Sequence, residues 1–301
     1  MNVHPSRETP LFSVVLPTFN REAMLSRAVS SVLRQSLQDF ELIVVDDGST
    51  EASGTGLPDD PRIRFIRNVT TLGVAQCRNI GVAAAKGRYI SFLDDDDEYL
   101  SSFLSSTHAR LKHSSETVGA SWCGVKFIDD SQDGTVSESI MDFPILEDER
   151  TVIRALFSIG ISFGFTGKAE CIRKVGPFDS GLKVASDTDY FFRMLVQGFV
   201  PVIVPGVHVV CHIHLGDRLT NIGWHAERIR TWEKWLFIQY SDFLDQHPDL
   251  KRGLQGYVES LKKEMGGGRD HEQTSRVRRL QAKFVSRFPV LRCWLARVVG
   301  Q

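Results

Sequence analysis

Apolar and polar positions follow a regular order along the first hundred residues of the chain. Short runs of β-branched and other apolar residues predict strands, and apolar side chains at helical spacing predict helices. The predicted strands cover residues 12–16, 40–45, 62–66 and 88–93, and the predicted helices between them cover 21–34 and 74–85. This alternation predicts an α/β fold, in which helices flank a mixed, mostly parallel central sheet.

The middle of the chain has a less regular pattern. It predicts helices over 98–112, 147–158, 168–175 and 187–197, and strands over 120–128, 136–140 and 200–213. Asp133-Gly134 predicts a hairpin turn between the first two of these strands. After about residue 220 the pattern becomes that of amphipathic helices. We therefore expect an α/β domain over residues 1–220 and a helical C-terminal extension over residues 221–301.

The composition is that of an ordinary globular protein and argues against several classes. Of 301 residues, 42% are hydrophobic and 24% are charged, and the net charge of −1 argues against a nucleic-acid-binding protein. Five widely spaced cysteines without a Cys-x-x-Cys pair indicate free thiols in a reducing compartment. The N-terminal pattern is not that of a secretory signal, and no run approaches the roughly 20 apolar residues of a membrane span. We expect a cytoplasmic protein.

The near-zero net charge is the sum of two parts of opposite sign. Residues 1–220 contain 21 basic and 28 acidic residues, whereas residues 221–301 contain 15 basic and 9 acidic ones. The last stretch, 275–301, has seven basic residues, no acid and interleaved apolar residues. Such a helix can lie peripherally on the inner face of the plasma membrane, or its apolar face can pack on the protein or a partner. The aromatic-rich helix predicted over 224–244 offers a surface for a homodimer.

Carboxylates stand where two of the predicted strands end. Asp46 and Asp47 follow the strand over 40–45, and four aspartates, Asp94 to Asp97, follow the strand over 88–93. Ligands of open parallel sheets bind at this end of the strands, so both groups are expected to face one crevice. Four successive carboxylates repel one another unless a cation lies among them, which favours a divalent ion, Mn or Mg. The alternatives are a solvated acidic turn and a plain Asp-Asp-Gly-Ser turn.

Two further groups could carry chemistry. Asp187, at the start of a predicted apolar helix, is a candidate general base, although Ser186 or Asp187 could equally be the helix cap. In Cys211-His212-Ile213-His214, strand alternation separates the cysteine from both histidines, so a compact three-ligand site is not expected. A single histidine could still join an ion bound by the aspartates, or it could be structural.

Several segments together resemble the family 2 glycosyltransferases, which have the Rossmann-like GT-A fold. Residues 13–21 and 40–50 resemble two motifs at the start of that family. Further segments resemble its Gly-x-x-x-Ala-Arg-Asn, DxD and acceptor-side motifs, and they are residues 73–79, Asp94–Asp97 and 176–193. The resemblance extends over residues 11–220 in the right order and spacing, so the chain is identified as a member of the family.

The resemblance implies a role for each matched residue. Thr18, Asp46 and Arg78 would contact the nucleotide base, Asp47 the ribose, and Asp95 the sugar or ribose. The implied nucleotide-sugar site consists of Pro17, Thr18, Asn20, Asp46, Asp47, Arg78, Asp94 and Asp95. Asp94 and Asp96, joined by His214, would hold the divalent cation, and Asp187 would be the catalytic base. Ser186 departs from the glutamate that many members have before this aspartate.

The resemblance implies transfer of a sugar from a nucleotide-diphosphate sugar, by family habit a UDP-sugar, to a glycan or lipid-linked acceptor in bacterial surface-polysaccharide synthesis. The family inverts the anomeric centre in one displacement, with a base on the acceptor hydroxyl and a cation on the departing diphosphate. A pyrophosphorylase would need a Gly-rich phosphate loop after the first strand, and a dinucleotide-dependent oxidoreductase would need Gly-x-Gly-x-x-Gly there; both are absent. A non-catalytic nucleotide-sugar- or glycan-binding scaffold of the same fold is the alternative that stays open.

Overall fold

The computed structural model describes residues 9–50, 54, 56–132, 135–142, 164–213 and 225–266. Its strands are β1 (Phe12–Thr18), β2 (Phe40–Asp46), β3 (Ile63–Arg67), β4 (Tyr89–Phe92), β5 (Asp97–Tyr99), β6 (Val118–Gln132), β7 (Thr135–Met141), β8 (Thr166–Lys168) and β9 (Val200–Ile213). Its α-helices are α1 (Glu22–Leu33), α2 (Val74–Ala84), α3 (Phe103–Leu111), α4 (Ala169–Val175), α5 (Ser186–Val196), α6 (His225–Lys234), α7 (Ser241–Gln246) and α8 (Pro248–Gly266). A π-helical turn, Trp235–Gln239, joins α6 to the segment that follows.

One sheet organises the molecule. Its strand order is β3-β2-β1-β4-β8-β6-β9-β5, with β7 paired to β6. The strands β3, β2, β1 and β4 are mutually parallel, whereas β8 runs antiparallel to both of its neighbours. The predicted fold class, a mixed and mostly parallel sheet flanked by helices, is confirmed.

Burial on both faces explains the unbroken apolar sequence of β1. Val14 and Leu16 belong to the hydrophobic cluster that contains Leu25 of α1, while Val15 belongs to the opposite cluster, which contains Ala75 of α2. Parallel strands covered on both sides read as continuous apolar runs, because neither face is exposed to water. The helices α1 and α2 therefore lie on opposite faces of the sheet.

Close approach of α2 to the sheet explains the small residues of this helix. A Cβ atom added to Gly81 would lie 2.3 Å from Cγ1 of Val15 in β1. No real side chain tolerates that distance, so glycine is required at this position. The helix is thereby held against the strand that leads into the crevice.

Two short strands were not predicted. The helix expected over 98–112 begins only at Phe103, because Asp97–Tyr99 forms β5 and pairs antiparallel with β9, opposite Cys211. The strand β8 is three residues long and lies between β4 and β6 in the sheet, paired with both. The strands expected over 200–213 form one continuous strand, β9, whose register with β6 shifts near its prolines. The helix expected over 147–158 and the Asp133-Gly134 turn lie outside the described residues.

The helical segment 225–266 shares a hydrophobic cluster with α5. Trp235 and Tyr240 contact Phe192 of α5, with ring centroids 5.6 and 4.8 Å apart respectively. The boundary expected between residues 220 and 221 lies outside the described residues and stays a prediction. Aromatic residues of the helix expected to pair with a second copy are buried within the chain, and the exposed apolar residues left there are Phe237 and Ile238; the homodimer also stays a prediction. Within the described residues, no helix combines the length and apolarity that crossing a membrane requires.

Candidate active site

Three neighbouring parallel strands, β1, β2 and β4, bring the predicted donor residues together where they end. We call this edge of the sheet the donor edge. The strand β1 lies between β2 and β4, and Thr18 at its end is in register with Asp46 at the end of β2. The four aspartates begin two residues after β4. The two carboxylate groups thus lie at the carboxyl ends of neighbouring strands, as the order of strands predicted, and the space in front of them is the candidate crevice.

Arginines pair with the acidic residues after β4. Arg21 Nη1 lies 3.1 Å from Asp95 Oδ1 and 3.1 Å from Asp96 Oδ2. Arg78 Nη2 donates to Asp94 Oδ1 at 2.9 Å. Four successive carboxyl groups thereby face two guanidinium groups. Arg21 was not among the predicted site residues, although it ends the motif over 13–21.

The strongest candidate for a metal centre is the group Asp94, Asp96 and Asp97. One ligand oxygen from each lies within 4.8 Å of the others. Burial raises the pKa of Asp97 well above its usual value, and repulsion from Asp96 and Asp94 adds to this rise. Burial likewise raises the pKa of Asp94, against the attraction of Arg78. Three clustered carboxyl groups, whose ionised forms are unfavourable without a nearby positive charge, fit a divalent cation.

Asp97 joins the predicted Asp94 and Asp96 in this group. His214 lies outside the described residues, so its predicted role as a ligand stays a prediction. His212 Nε2 lies 2.8 Å from Glu98 Oε1, whereas Cys211 Sγ lies 3.2 Å from Asp97 Oδ2. The two side chains therefore have different partners, which agrees with the strand alternation expected for them, although the His212 backbone N–H also donates to Asp97.

Asp95 links the acidic group to β1. Its carboxylate accepts a hydrogen bond from Thr18 Oγ1 at 2.8 Å and pairs with Arg21. Burial raises the pKa of Asp95 to about 6, and the attraction of Arg21 and the Thr18 hydrogen bond only partly offset that rise. The side chain is thus partly protonated near neutral pH in the absence of a ligand.

The two aspartates after β2 shape the loops around them. Asp46 Oδ1 accepts hydrogen bonds from the backbone and hydroxyl of Ser49. Its buried Oδ2 makes no hydrogen bond among the described residues, with Arg67 Nε 3.4 Å away. Asp47 accepts hydrogen bonds from the backbone N–H groups of Leu72 and Gly73, at 2.8 and 2.9 Å. Asp47 therefore anchors the loop that leads into α2.

Asn20 and Pro17 hold the end of β1. Asn20 has a left-handed backbone, with φ of 54°, and its Oδ1 accepts hydrogen bonds from the N–H and hydroxyl of Thr50. Pro17 lies within β1, opposite Val45 of β2. Asn20 thus joins the loop after β1 to the loop after β2, whereas Pro17 is part of the strand pairing that precedes them.

The candidate base faces the acidic group from α5. Asp187 is half-buried, and its charge is among the causes that raise the pKa of Asp94. Its Oδ1 accepts a hydrogen bond from the N–H of Thr188 at 2.9 Å. The helix begins at Ser186 after Ala185, which has a left-handed φ of 60° and occupies the cap position. The alternative that Ser186 or Asp187 is the cap was therefore wrong.

Asn79 connects the donor edge to the loop before α5. Its Nδ2 donates to the carbonyl of Phe178 at 2.9 Å, and its Oδ1 accepts from the N–H of Phe178 at 2.7 Å. Reciprocal bonds of this kind fix both segments in register. Sequence analysis placed Asn79 in a motif without a role, because its partner lies 99 residues away.

Comparison with known proteins identifies the family. The sequence profile described as "Glycosyl transferase family 2" matches residues 13–167. The chain belongs to this family. Over 226 residues it is 32% identical to the "Putative colanic acid biosynthesis glycosyl transferase WcaA" of Escherichia coli (strain K12), covering 70% of this chain and 75% of that relative. This membership identifies the protein as a glycosyltransferase.

Two further family comparisons bear on substrates and fold. Over 96 residues the chain is 36% identical to the "UDP-Glc:alpha-D-GlcNAc-diphosphoundecaprenol beta-1,3-glucosyltransferase WfgD" of Escherichia coli, but this covers only 31% of this chain and 38% of that relative. The solved "Mannosyltransferase PcManGT from Pyrobaculum calidifontis in complex with GDP-Man and Mn2+" superimposes with a TM-score of 0.59. That match covers 97% of this chain and 85% of the other at 16% identity, and it shows a shared fold.

Proposed function

We propose that this glycosyltransferase moves a sugar from a UDP-sugar to a glycan or lipid-linked acceptor in bacterial surface-polysaccharide synthesis, with inversion of the anomeric centre. The observation that carries the proposal is that Asp187 lies close enough to the acidic group for its charge to raise the pKa of Asp94. A single displacement needs a base on one side of the sugar and charge stabilisation on the other. The name of the relative WfgD, with its UDP-glucose donor and lipid-linked acceptor, supports the substrate class.

The donor side offers hydrogen-bonding atoms for a nucleotide base. Two buried atoms, Asp46 Oδ2 and Arg78 Nε, make no hydrogen bond among the described residues. One is an acceptor and the other a donor, which are the partners that the N–H and carbonyl groups of a uracil edge require. Thr18 completes this side, while Asp47, Asn20 and Pro17 shape it. In this proposal Asp95 contacts the sugar or the ribose.

Asp94, Asp96 and Asp97 would hold a divalent cation, Mn or Mg. When bound, such an ion takes up negative charge on the departing diphosphate. Arg21 keeps Asp95 and Asp96 in place at 3.1 Å from its guanidinium. The chain itself thus positions the carboxylates and excludes water from the bottom of the crevice, where Asp97 is buried.

Asp187 takes the proton of the acceptor hydroxyl in this proposal. The carboxylate sits at the start of α5, half open to the crevice, and requires no covalent partner. Proton removal by a positioned carboxylate contributes about 10²- to 10⁴-fold to a rate. The hydroxyl oxygen then attacks the anomeric carbon from the face opposite the diphosphate, which inverts the configuration.

The proposal is tested by a donor screen with product analysis. The full chain, with Mn²⁺, is incubated with UDP-sugars and a sugar-diphosphoundecaprenol acceptor. We expect release of UDP that depends on the acceptor, and a product whose anomeric proton coupling in NMR shows inversion. Binding of UDP-sugar without release of UDP in any combination would favour the non-catalytic scaffold. A product with retained configuration would contradict the single displacement.

We also propose that the enzyme works in the cytoplasm, with residues 275–301 as a peripheral contact to the inner face of the plasma membrane. The segment lies outside the described residues, and its seven basic residues without an acid support the proposal. The full chain should sediment with anionic liposomes, whereas a chain that ends at Gly268 should stay in the supernatant. Equal sedimentation of the two chains would contradict this contact.

A further inference from the structure

A buried polar network ties the helical C-terminal segment to the helix of the candidate base. The Tyr240 hydroxyl donates to Asp189 Oδ1 at 2.6 Å, and both side chains are buried. Gln239 Nε2 donates to the Tyr240 oxygen at 2.9 Å. Asp189 is in α5, two residues beyond Asp187. The network therefore reaches the first turn of α5 from a segment about 50 residues away in sequence.

Asp189 is held from a second direction by Arg193. Arg193 Nε donates to Asp189 Oδ2 at 2.9 Å, and its other nitrogens donate to the carbonyls of Val175 and Pro177 at 2.9 and 2.8 Å. Those carbonyls belong to the end of α4 and the loop after it. The carboxylate of Asp189 thus has a different partner on each oxygen, and both partners are fixed by other parts of the fold.

The geometry of a helix connects this anchor to the base. Residues two apart lie about 200° apart around an α-helix, so a side chain held inward at Asp189 turns Asp187 outward. The backbone N–H of Asp189 also donates to the carbonyl of Ala185, at 3.0 Å. Ala185 has a left-handed backbone, which is strained for a residue with a Cβ. Contacts elsewhere must therefore hold this turn in place.

We propose that Tyr240 is a positioning residue for catalysis: through Asp189, its hydroxyl sets the rotation of the first turn of α5 and with it the direction of the Asp187 carboxylate. The inference rests on the proposed function, in which Asp187 is the base. It gives the helical C-terminal segment a part in the reaction although that segment is remote in sequence from the donor edge. The ring of Tyr240 stacks on Phe192 with planes 9° apart, so its hydroxyl can be removed without removing the packing.

The test compares Tyr240→Phe with Leu244→Val in the full chain. Leu244 lies in the same hydrophobic cluster, and its substitution loosens packing without touching Asp189. In Tyr240→Phe we expect hydrogen exchange at the amides of residues 189–193 to rise about tenfold. The value of kcat should fall about tenfold, while KM for the donor stays within twofold, since the Asp94–Asp97 group is untouched. Leu244→Val should lower Tm by a comparable amount but change neither the exchange rate of these amides nor kcat.

Two results would overturn the inference. The first is an exchange rate or a kcat in Tyr240→Phe that changes no more than in Leu244→Val. The second is faster exchange with unchanged kcat, because Tyr240 would then only stabilise the fold. If the wild type transfers no sugar from any donor, the proposed function fails, and the exchange measurement alone still decides whether Tyr240 holds the first turn of α5.

Discussion

The two sides of the crevice are held in different ways. At the donor edge, four consecutive aspartates face only two arginines, Arg21 and Arg78. At α5, the helix of the candidate base, both oxygens of the buried Asp189 carboxylate have partners, and one of these, Tyr240, stacks on Phe192. In the proposed function a bound cation completes the first side, whereas the second is complete in the protein alone.

This difference separates binding from positioning. Raised pKa values at Asp94 and Asp97 mean that ionising these carboxyls is unfavourable in the ligand-free protein, which is typical of a site that binds a ligand. The carboxylate oxygens of Asp189 already have partners, so this network requires no ligand. Its proposed role is to fix the direction of the Asp187 carboxylate. Substitutions of the carboxyls that can share a cation should therefore change ligand affinity, and substitutions around α5 should change stability or turnover.

The largest effect on stability is expected for Phe192→Ala. Phe192 is fully buried and contacts both Trp235 and Tyr240, so its removal leaves a cavity between α5 and the C-terminal helices. The free energy of unfolding should fall by about 3–5 kcal/mol, measured by urea denaturation. Val196→Ala, at a half-exposed position of the same helix, should change it by less than about 0.5 kcal/mol. A loss below about 1 kcal/mol for Phe192→Ala would show that this packing is not what holds α5.

A smaller free-energy change, at the other side of the crevice, is expected for Asp96→Asn. The substitution removes one of the three carboxylates that can share a cation. The affinity for Mn²⁺, measured by calorimetry, should fall about 100-fold, or about 3 kcal/mol, with an unchanged unfolding midpoint. Asp59→Asn, at an exposed position outside the group, is the matched control. Wild-type affinity in Asp96→Asn would place the cation elsewhere.

The pH dependence of stability should give the smallest effect. Because the pKa of Asp95 is about 6 in the folded protein and 3.8 ordinarily, its contribution to stability is present in full below about pH 4 and is lost as pH rises through 6. Asp95→Asn should therefore be more stable than the ligand-free wild type at pH 8, by about 1–2 kcal/mol. That gap should close toward pH 4 in thermal unfolding. A gap that widens at low pH would contradict the direction of the shift.

The donor edge could be predicted from the sequence because its signals are local. Each parallel strand is one apolar run, and each carboxylate group directly follows such a run, so Asp46 and Asp94 could be placed at one edge. The strand β5 could not be predicted, since its pairing partner lies in β9, more than 100 residues away. This pairing also brings the buried Asp97 beside Cys211 and into the candidate metal group.

The contacts of the base helix were beyond sequence analysis for the same reason. Asp187 could be proposed from its motif, but its anchor depends on Asp189 and Tyr240, which are 51 residues apart. A tyrosine in an amphipathic helix reads as an ordinary apolar-face residue, because no spacing rule connects it to a carboxylate in another helix. Positioning residues of this kind become visible only when the packed structure is known.

In the proposed function Asp187 acts on the acceptor while the acidic group binds the donor. The most direct measurement is turnover of Asp187→Asn together with its affinity for UDP in the presence of Mn²⁺. Asp179→Asn, an exposed aspartate in the loop before α5, serves as the control. We predict a fall in kcat of about 10²- to 10⁴-fold with UDP affinity within twofold of the wild type. Near-normal turnover in Asp187→Asn would contradict the proposed role of Asp187 as the base.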